Sequence, residues 1–282
     1  INYFEKNKID YMGIDLLKPY TKKCIKLNIQ GSNINIKIKK KIKTIIHLAA
    51  ISTNQMSNND PALSYKVNVF GSMNLINFAK KNKIKNFIFA SSEWVYGSFK
   101  NNETKSIKSK INIKKLDSNY AKTKAIVEKI ITSLQNLNYS ILRFGIIYGN
   151  KTSNFSAVES IIEQVKNKKV IYIQSKKTTR SFIHVNDIIK AIICSLKLKG
   201  KYILDIQGPN PINLDKLINY TSNVLNKRVK IIEKNKKKSS IKLINSSLSN
   251  KILNFKPKIS IEDGIIEILN KKKNEKKIQR NL

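Results

Sequence analysis

The chain has 282 residues, long enough to bury a sizeable core, and 41% of them are hydrophobic, too many for a disordered polymer. No apolar run approaches the roughly 18 residues that span a bilayer, and the opening INYFEKNK has none of the apolar continuity of a signal peptide. The two cysteines, Cys24 and Cys194, lie far apart without a CxxC partner, which excludes a disulfide framework or a cysteine metal site and points to a reducing cytoplasm.

The net charge of +37 raises the question of nucleic-acid binding. Only four of the 55 basic residues are arginine (Arg143, Arg180, Arg228, Arg280), whereas specific phosphate and base recognition favours the arginine fork. The lysines are scattered, with clusters only at Lys37–Lys43, Lys234–Lys238 and Lys271–Lys277, and Asn and Ile are inflated alongside them. We therefore read the charge as compositional drift and expect neither a specific nucleic-acid partner nor a membrane partner.

Short apolar runs alternate with amphipathic stretches along the chain. Ile9–Ile14 reads as a strand ending at Asp15, Cys24–Ile29 as a weak strand, and Thr44–Leu48 as a strong one closing on Ala49 and Ala50. Pro61–Asn82 carries apolar residues three and four apart (Val67, Phe70, Leu75, Phe78) and is predicted helical. Asn86–Ala90 is a buried strand, Lys100–Lys115 a polar loop, Tyr120–Leu134 a helix and Ser140–Phe144 a strand. Helices at Ser156–Lys166 and Asp187–Leu196, a strand at Tyr202–Gln207, a helix at Leu214–Leu225 and a short one at Ile261–Leu269 complete the pattern. This is the alternation of an α/β, doubly wound parallel sheet. The less regular second half suggests a smaller α+β lobe: residues 1–147, with 181–210 returning, form the first domain, and 148–180 with 211–282 the second.

In doubly wound sheets ligands bind beyond the carboxyl ends of the strands. That singles out Asp15, Asn28 and Ile29, Leu48, Ala49 and Ala50, Ser91 and Ser92, and Phe144 and Gly145. The sharpest local signal is Tyr120-Ala-Lys-Thr-Lys124. Four residues apart on a helix, the tyrosine and lysine share a face, and an ammonium beside a phenol favours the phenolate, a usable acid/base. Alone, this spacing equally describes an amphipathic helix surface. FIFASSEWVYG (87–97) adds two serines after a buried strand, where a hydroxyl can bind a substrate oxygen.

Taken in order, HLAA (47–50), VNVFGS (67–72), FASSEWVYG (89–97), YAKTK (120–124), LRFGIIYG (142–149) and RSFIHVND (180–187) resemble the extended short-chain dehydrogenase/reductases of the NAD-dependent epimerase/dehydratase kind. The resemblance covers nearly the whole chain and implies a Rossmann-like domain, NAD as cofactor and a nucleotide-sugar substrate handled by a homodimer. It makes Ser92 the catalytic hydroxyl, Tyr120 the acid/base, and Lys124 the residue that holds the nicotinamide ribose and tunes Tyr120. Asn68 falls on the family's cofactor-shell asparagine, and Arg180 on an arginine that contacts the nucleotide. The strand-end residues Asp15, Asn28, Ile29, Leu48, Ala49, Ala50, Phe144 and Gly145 are then candidates for the cofactor shell. Asp15 favours NAD over NADP, because its charge repels a 2′-phosphate, although Lys18 lies close.

One part of the pattern is missing. The nine glycines contain no GxGxxG or GxxGxxG. The ribose-binding acid lies about 20 residues after the phosphate-binding glycines, so with Asp15 in that role they fall before position 1. Since the chain starts at Ile1 rather than Met, we expect a piece lacking the first strand and its phosphate loop.

Departures from the family pattern concern the substrate. Ile146 stands where nucleotide-sugar binders often carry Asn, and Asn150 where Pro is usual. Glu93 follows Ser92 and is a candidate substrate contact, but Trp94 occupies the second acidic position of the dehydratases. An epimerase is therefore favoured over a dehydratase, with a sugar or carbonyl reductase as the alternative and a non-catalytic dinucleotide- or RNA-binding relative as the competing class. His47 and His184 are read as packing or hydrogen-bonded residues, and Asp187 as a helix cap.

Overall fold

A computed structural model describes residues 1–17, 21–31, 34, 36, 40–100, 103–151, 155–237 and 239–280, with side chains as far as 271. The chain forms two compact units. One comprises Ile1–Gly97, Ile111–Ile141 and Leu196–Tyr202, the other Ser98–Lys110, Leu142–Ser195 and Ile203–Leu282. These boundaries differ from the division at residue 147 read from the sequence.

The first unit opens with α1 (Asn2–Lys6), β1 (Gly13–Asp15), β2 (Cys24–Lys26), β3 (Thr44–His47) and α2 (Asn54–Asn59). There follow α3 (Pro61–Tyr65), a π-helical turn at Lys66–Phe70, α4 (Gly71–Lys81) and β4 (Asn86–Ser92). After β5 (Thr104–Lys105), which belongs to the other unit, α5 (Asn119–Thr132) returns and β6 (Asn138–Phe144) leads out. The second unit continues through β7 (Ile146–Tyr148), α6 (Ala157–Asn167), β8 (Val170–Ile173), β9 (Thr179–His184), α7 (Val185–Ser195) and β10 (Lys201–Ile206), whose first residues belong to the first unit. It closes with β11 (Pro211–Asn213), α8 (Leu214–Val224), β12 (Lys230–Glu233), β13 (Leu243–Ile244), α9 (Ser247–Leu253) and α10 (Ile261–Arg280).

Strands pair mainly in parallel. β3 and β4 run side by side with Thr44 opposite Asn86 and His47 opposite Phe89, in a sheet of order β10-β6-β4-β3. β1 pairs in parallel with β2, Gly13 opposite Cys24. A side chain at Gly13 would place its Cβ 2.4 Å from the Cys24 sulfur, so only glycine fits at this crossing. Among the described residues β1 pairs with β2 alone and β3 with β4 alone, each keeping one edge without a neighbouring strand. In the second unit β9 lies between parallel β7 and antiparallel β11, β8 pairs with β12, and β5 with β13.

Local chemistry sets the helix starts. The side chains of Thr53, Asp60 and Ser118 accept from Met56, Leu63 and Ala121 N–H respectively, each cap worth about 1 kcal/mol. Ser156 and Glu159 form a reciprocal capping box on α6. The core of the first unit is built on β4, whose Phe87, Ile88 and Phe89 are buried, and a satellite cluster sets Val95 and Leu116 against Ala121 and Ala125. The second unit packs α6, α8 and the start of α10 around Ile162, Ile171, Leu217 and Ile265. Among the described residues no helix is long and apolar enough to cross a membrane.

Several sequence expectations are corrected here. The strand expected from Ile9 is confined to Gly13–Asp15, because the chain first leaves α1 through Lys8 at φ 52° with Ile9 N–H bonded back to Phe4. Asp15 is therefore the last strand residue. The strand at Cys24 ends at Lys26 rather than Ile29, since Asn28 turns the chain by accepting from Gln30 N–H. Pro61–Asn82 is not one regular helix: the π turn inserts where Asn68 bonds sideways to other elements. The polar segment 100–115 holds β5 and a short 3-10 turn at Ile113–Lys115. The last helix runs on to Arg280, and α2, α9 and strands β7, β8, β9, β11, β12 and β13 were not foreseen, most being too short to show periodicity. Lys18 and part of the Lys37–Lys43 cluster lie outside the described residues.

Candidate active site

β4 and α5 build the site within the first unit. β4 ends on Ala90, Ser91 and Ser92, and α5 begins one residue before Tyr120, so the end of the strand and the first turns of the helix meet. Lys124 Nζ donates to the Ala90 carbonyl at 2.7 Å and lies 4.8 Å from the centre of the Phe89 ring and 6.0 Å from that of Tyr120. The Ser92 hydroxyl hydrogen-bonds to Tyr120 and also accepts from Trp94 N–H at 3.3 Å, capping the 3-10 turn Glu93–Tyr96. The structure thus brings Ser92, Tyr120 and Lys124 together.

Their electrostatics differ from the sequence expectation. Lys124 was expected to lower the Tyr120 pKa, but burial comes first and pushes the phenol above its usual value of 10.0. The Ser92 hydrogen bond opposes this and the buried Glu93 carboxylate reinforces it. The reason lies in Lys124 itself. With 3% of its surface exposed, its ammonium is pulled down to about 7 by burial, while the Glu128 carboxylate works in the opposite sense. A lysine half-neutral near pH 7 is a weak partner for a phenolate.

A second layer fixes the site from behind. Asn68, in the π turn, accepts from Ile51 N–H at 2.8 Å and donates to Ile51 C=O and Thr123 Oγ1, both at 3.0 Å. It ties the loop after β3 to α5. Ser72 donates its one hydroxyl proton to Asn68 C=O at 2.5 Å, so His47 Nε2 must be the donor in its 2.8 Å bond to Ser72. Burial, then the Lys124 ammonium, pull His47 down to about 3, so it stays neutral and structural.

The remaining candidates separate. Leu48 and Ala49 are exposed and Ala50 half-buried beyond β3, on the loop that Asn68 holds. Asp15 is exposed at the end of β1, with Oδ1 accepting from Leu17 N–H at 2.9 Å. Asn28 makes its turn, and Ile29 is buried close against Gly71, where an added Cβ would come within 2.9 Å of it. Asn74, not singled out in the sequence, holds this turn by donating to Ile29 and Gly31 carbonyls at 2.8 Å. Phe144, Gly145 and Arg180 belong to the second unit. Gly145 is glycine because an added Cβ would lie 2.7 Å from Gln207 Oε1 and 3.1 Å from the Ser181 carbonyl. Arg180 donates to the Thr179 and Ser240 carbonyls and to Ser240 Oγ.

His184 is buried, accepts from Asn186 N–H at 3.3 Å, and stays below its usual pKa through burial. Asp187 does not cap α7. It lies in the first turn and accepts from Lys258 and Ile259 N–H, fastening the segment before α10. Glu128, which accepts from the Ser91 hydroxyl, was not singled out in the sequence. The available signal was spacing, since Glu128 follows Lys124 by the same four residues that separate Lys124 from Tyr120.

The NAD dependent epimerase/dehydratase family matches residues 1–204. The UDP-glucuronate 4-epimerase of Thermodesulfobacterium geofontis is 28% identical over 236 residues, covering 81% of this chain and 72% of that protein. Among solved structures, the UDP-N-acetylglucosamine 4-epimerase of Methanobrevibacter ruminantium, in complex with UDP-N-acetylmuramic acid, superposes with a TM-score of 0.76 at 25% identity, over 90% of this chain and 86% of that one. MoeE5 in complex with UDP-glucuronic acid and NAD gives 0.82 at 16% identity, over 97% of this chain and 94% of that one, a likeness in the Rossmann-like α/β fold.

Proposed function

Because the chain belongs to the NAD dependent epimerase/dehydratase family, we propose that it acts as an NAD-dependent epimerase that inverts C4 of a UDP-sugar. The observation that carries this reading is the contact of Ser92, Tyr120 and Lys124 at one strand end. Relatives and structural neighbours named as UDP-sugar 4-epimerases support the substrate class.

The nicotinamide end of the cofactor fits the residues present: a buried lysine, a phenol and a hydroxyl converge there, beside the exposed loop 48–50. Asp15, exposed at the end of β1, suits the adenosine ribose hydroxyls. Lys124 would hold the nicotinamide ribose. When bound, NAD supplies the acceptor and donor of a hydride. This chain's own residues do the proton work. Ser92 orients the sugar 4-hydroxyl, and Tyr120 as phenolate removes its proton and returns it to the oxygen after the ketone has turned over. Glu93, buried beside Tyr120, contacts the sugar, and Arg180 the nucleotide. The absence of a second acid at Trp94 favours epimerisation over dehydration. Exposed Leu63, Phe70 and Met73 along α3, the π turn and α4 support a homodimer, and the free Cys24 and Cys194 a reducing, cytoplasmic setting.

The test is direct. The chain is incubated with NAD and UDP-glucose or UDP-glucuronic acid, and the C4 configuration is followed by proton NMR. Appearance of the 4-epimer is the expected result. A released 4-keto or dehydrated product without epimer would replace this reading by the reductase or dehydratase alternative.

A further inference from the structure

Four buried residues of the first unit form one directional chain of hydrogen bonds that ends on the backbone of Tyr120. It starts at the last residue of β3. His47 Nε2–H donates to Ser72 Oγ at 2.8 Å, and Ser72 gives its own proton to the Asn68 carbonyl at 2.5 Å. The Asn68 amide protons are both placed as well, one on the Ile51 carbonyl and one on Thr123 Oγ1. Thr123 in turn donates to the Tyr120 carbonyl at 2.9 Å. His47, Asn68, Ser72 and Thr123 are all buried, so solvent does not compete for these bonds. Asn68 serves both Ile51 and Thr123 because of the π turn that carries it. Gly71 N–H reaches five residues back to the Lys66 carbonyl. That extra residue turns the side chains beyond it by roughly 100° relative to an uninterrupted α-helix.

We infer that His47 and Ser72 are positioning residues for Tyr120: they lock the π turn at the Asn68 carbonyl, and the locked turn holds loop 48–51 and the first turn of α5 in one register. This rests on the assignment of Tyr120 as the acid/base. Proton counting gives the chain its direction. A hydroxyl carries one proton, and with that of Ser72 on Asn68, His47 has to present an N–H to the serine lone pairs. Removing the Ser72 hydroxyl therefore strands two buried groups at once, the His47 N–H and the Asn68 carbonyl. The π turn is where that loss is relieved, because five-residue closure is the least favourable of the helical geometries and slips readily to the regular α-helix. Such a slip swings Asn68 away from Ile51 and Thr123 together. Tyr120 then loses the tie at its carbonyl, and a general base misplaced by a fraction of an ångström works poorly. Both residues act through Asn68 and not on the reacting atoms.

Two readouts on the full chain separate positioning from general stability. Amide hydrogen exchange is followed by NMR at Ile51, which Asn68 holds, and at Phe87–Phe89 in β4. Turnover of UDP-glucose with NAD is measured on the same proteins. In Ser72→Ala the Ile51 amide should exchange roughly ten-fold faster or more, while β4 keeps its protection. Its kcat should fall by about ten-fold or more, with KM for UDP-glucose changed by no more than about twofold. Ser72→Thr keeps the hydroxyl and should retain the parent exchange and the parent kcat. Parent-like exchange at Ile51 in Ser72→Ala, an equal acceleration throughout β4, or an unchanged kcat despite a loosened Ile51 overturns the inference. If Ser72→Ala does not fold, His47→Gln and His47→Leu take its place. Glutamine keeps an N–H for Ser72 and leucine does not, so Ile51 should loosen and kcat fall in the leucine variant alone; equal behaviour of the two overturns the inference. The assignment of Tyr120 fails separately, through a Tyr120→Phe protein that still turns over near the parent rate.

Discussion

Asn68 grips Ile51 by both backbone polar atoms, accepting from its N–H at 2.8 Å and donating to its C=O at 3.0 Å. The grip fixes the loop that follows β3, and a third bond to Thr123 joins that loop to the helix carrying Tyr120 and Lys124. Asn68→Ala leaves two backbone groups of the buried Ile51 without this partner, each worth about 1–3 kcal/mol when orphaned. We expect urea denaturation to show a loss of about 2–4 kcal/mol. A loss below about 0.5 kcal/mol would mean that water replaces the asparagine at no cost.

Tyr120→Phe removes one hydroxyl and keeps the ring. With Tyr120 as the acid/base, epimerisation should slow by roughly 10²–10⁴, the range for a lost general base. NAD affinity, followed by calorimetric titration, should be preserved. Turnover within threefold of the parent (about 0.6 kcal/mol of barrier) would end the assignment.

The depressed Lys124 pKa has a signature in stability. The folded chain releases this proton near pH 7, whereas the unfolded chain holds it up to the ordinary lysine value of 10.5. Between those limits the unfolded state binds the extra proton, so this group makes stability rise with pH and contributes no slope below about 7. Thermal melts of the parent and of Lys124→Met should therefore draw apart progressively from pH 7 to 10, with the parent gaining. Parallel curves across that window would show that Lys124 keeps its ordinary pKa.

Asp15 carries the expectation of cofactor choice. Its exposed carboxylate suits ribose hydroxyls and repels a 2′-phosphate. Calorimetry should find NAD bound more tightly than NADP, and Asp15→Asn should narrow the gap by about ten-fold, near 1.4 kcal/mol. Tighter NADP binding by the parent would remove Asp15 from the site.

The +37 charge predicts a weak, non-specific affinity for polyanions. Fluorescence anisotropy with single-stranded RNA should give dissociation constants of roughly 10⁻⁴–10⁻⁶ M near physiological salt, weakening steeply as salt rises. Sequence-selective binding that survives high salt would move a nucleic-acid role ahead of the enzymatic one.

By itself the sequence determined the α/β alternation, the buried strand Phe87–Ala90, the helix of Tyr120 and Lys124, and the residues expected to do the chemistry. Each is written in local spacing: period-two or fully apolar runs, four-residue steps, and small residues at strand ends. The short strands β7, β8, β11, β12 and β13 left no such trace, because two to four residues paired by distant partners need no internal pattern. Tertiary structure alone decided the charge state of the site. Tyr120 and Lys124 read as a cation lowering a phenol's pKa until burial is known; burial then lowers the lysine and raises the tyrosine. It also showed that Asn68 clamps Ile51, turned Asp187 from a helix cap into a fastening for residues 258 and 259, and buried Glu128 against the Ser91 hydroxyl. Desolvation and long-range hydrogen bonds depend on what lies across the fold, and a linear spacing carries no record of that.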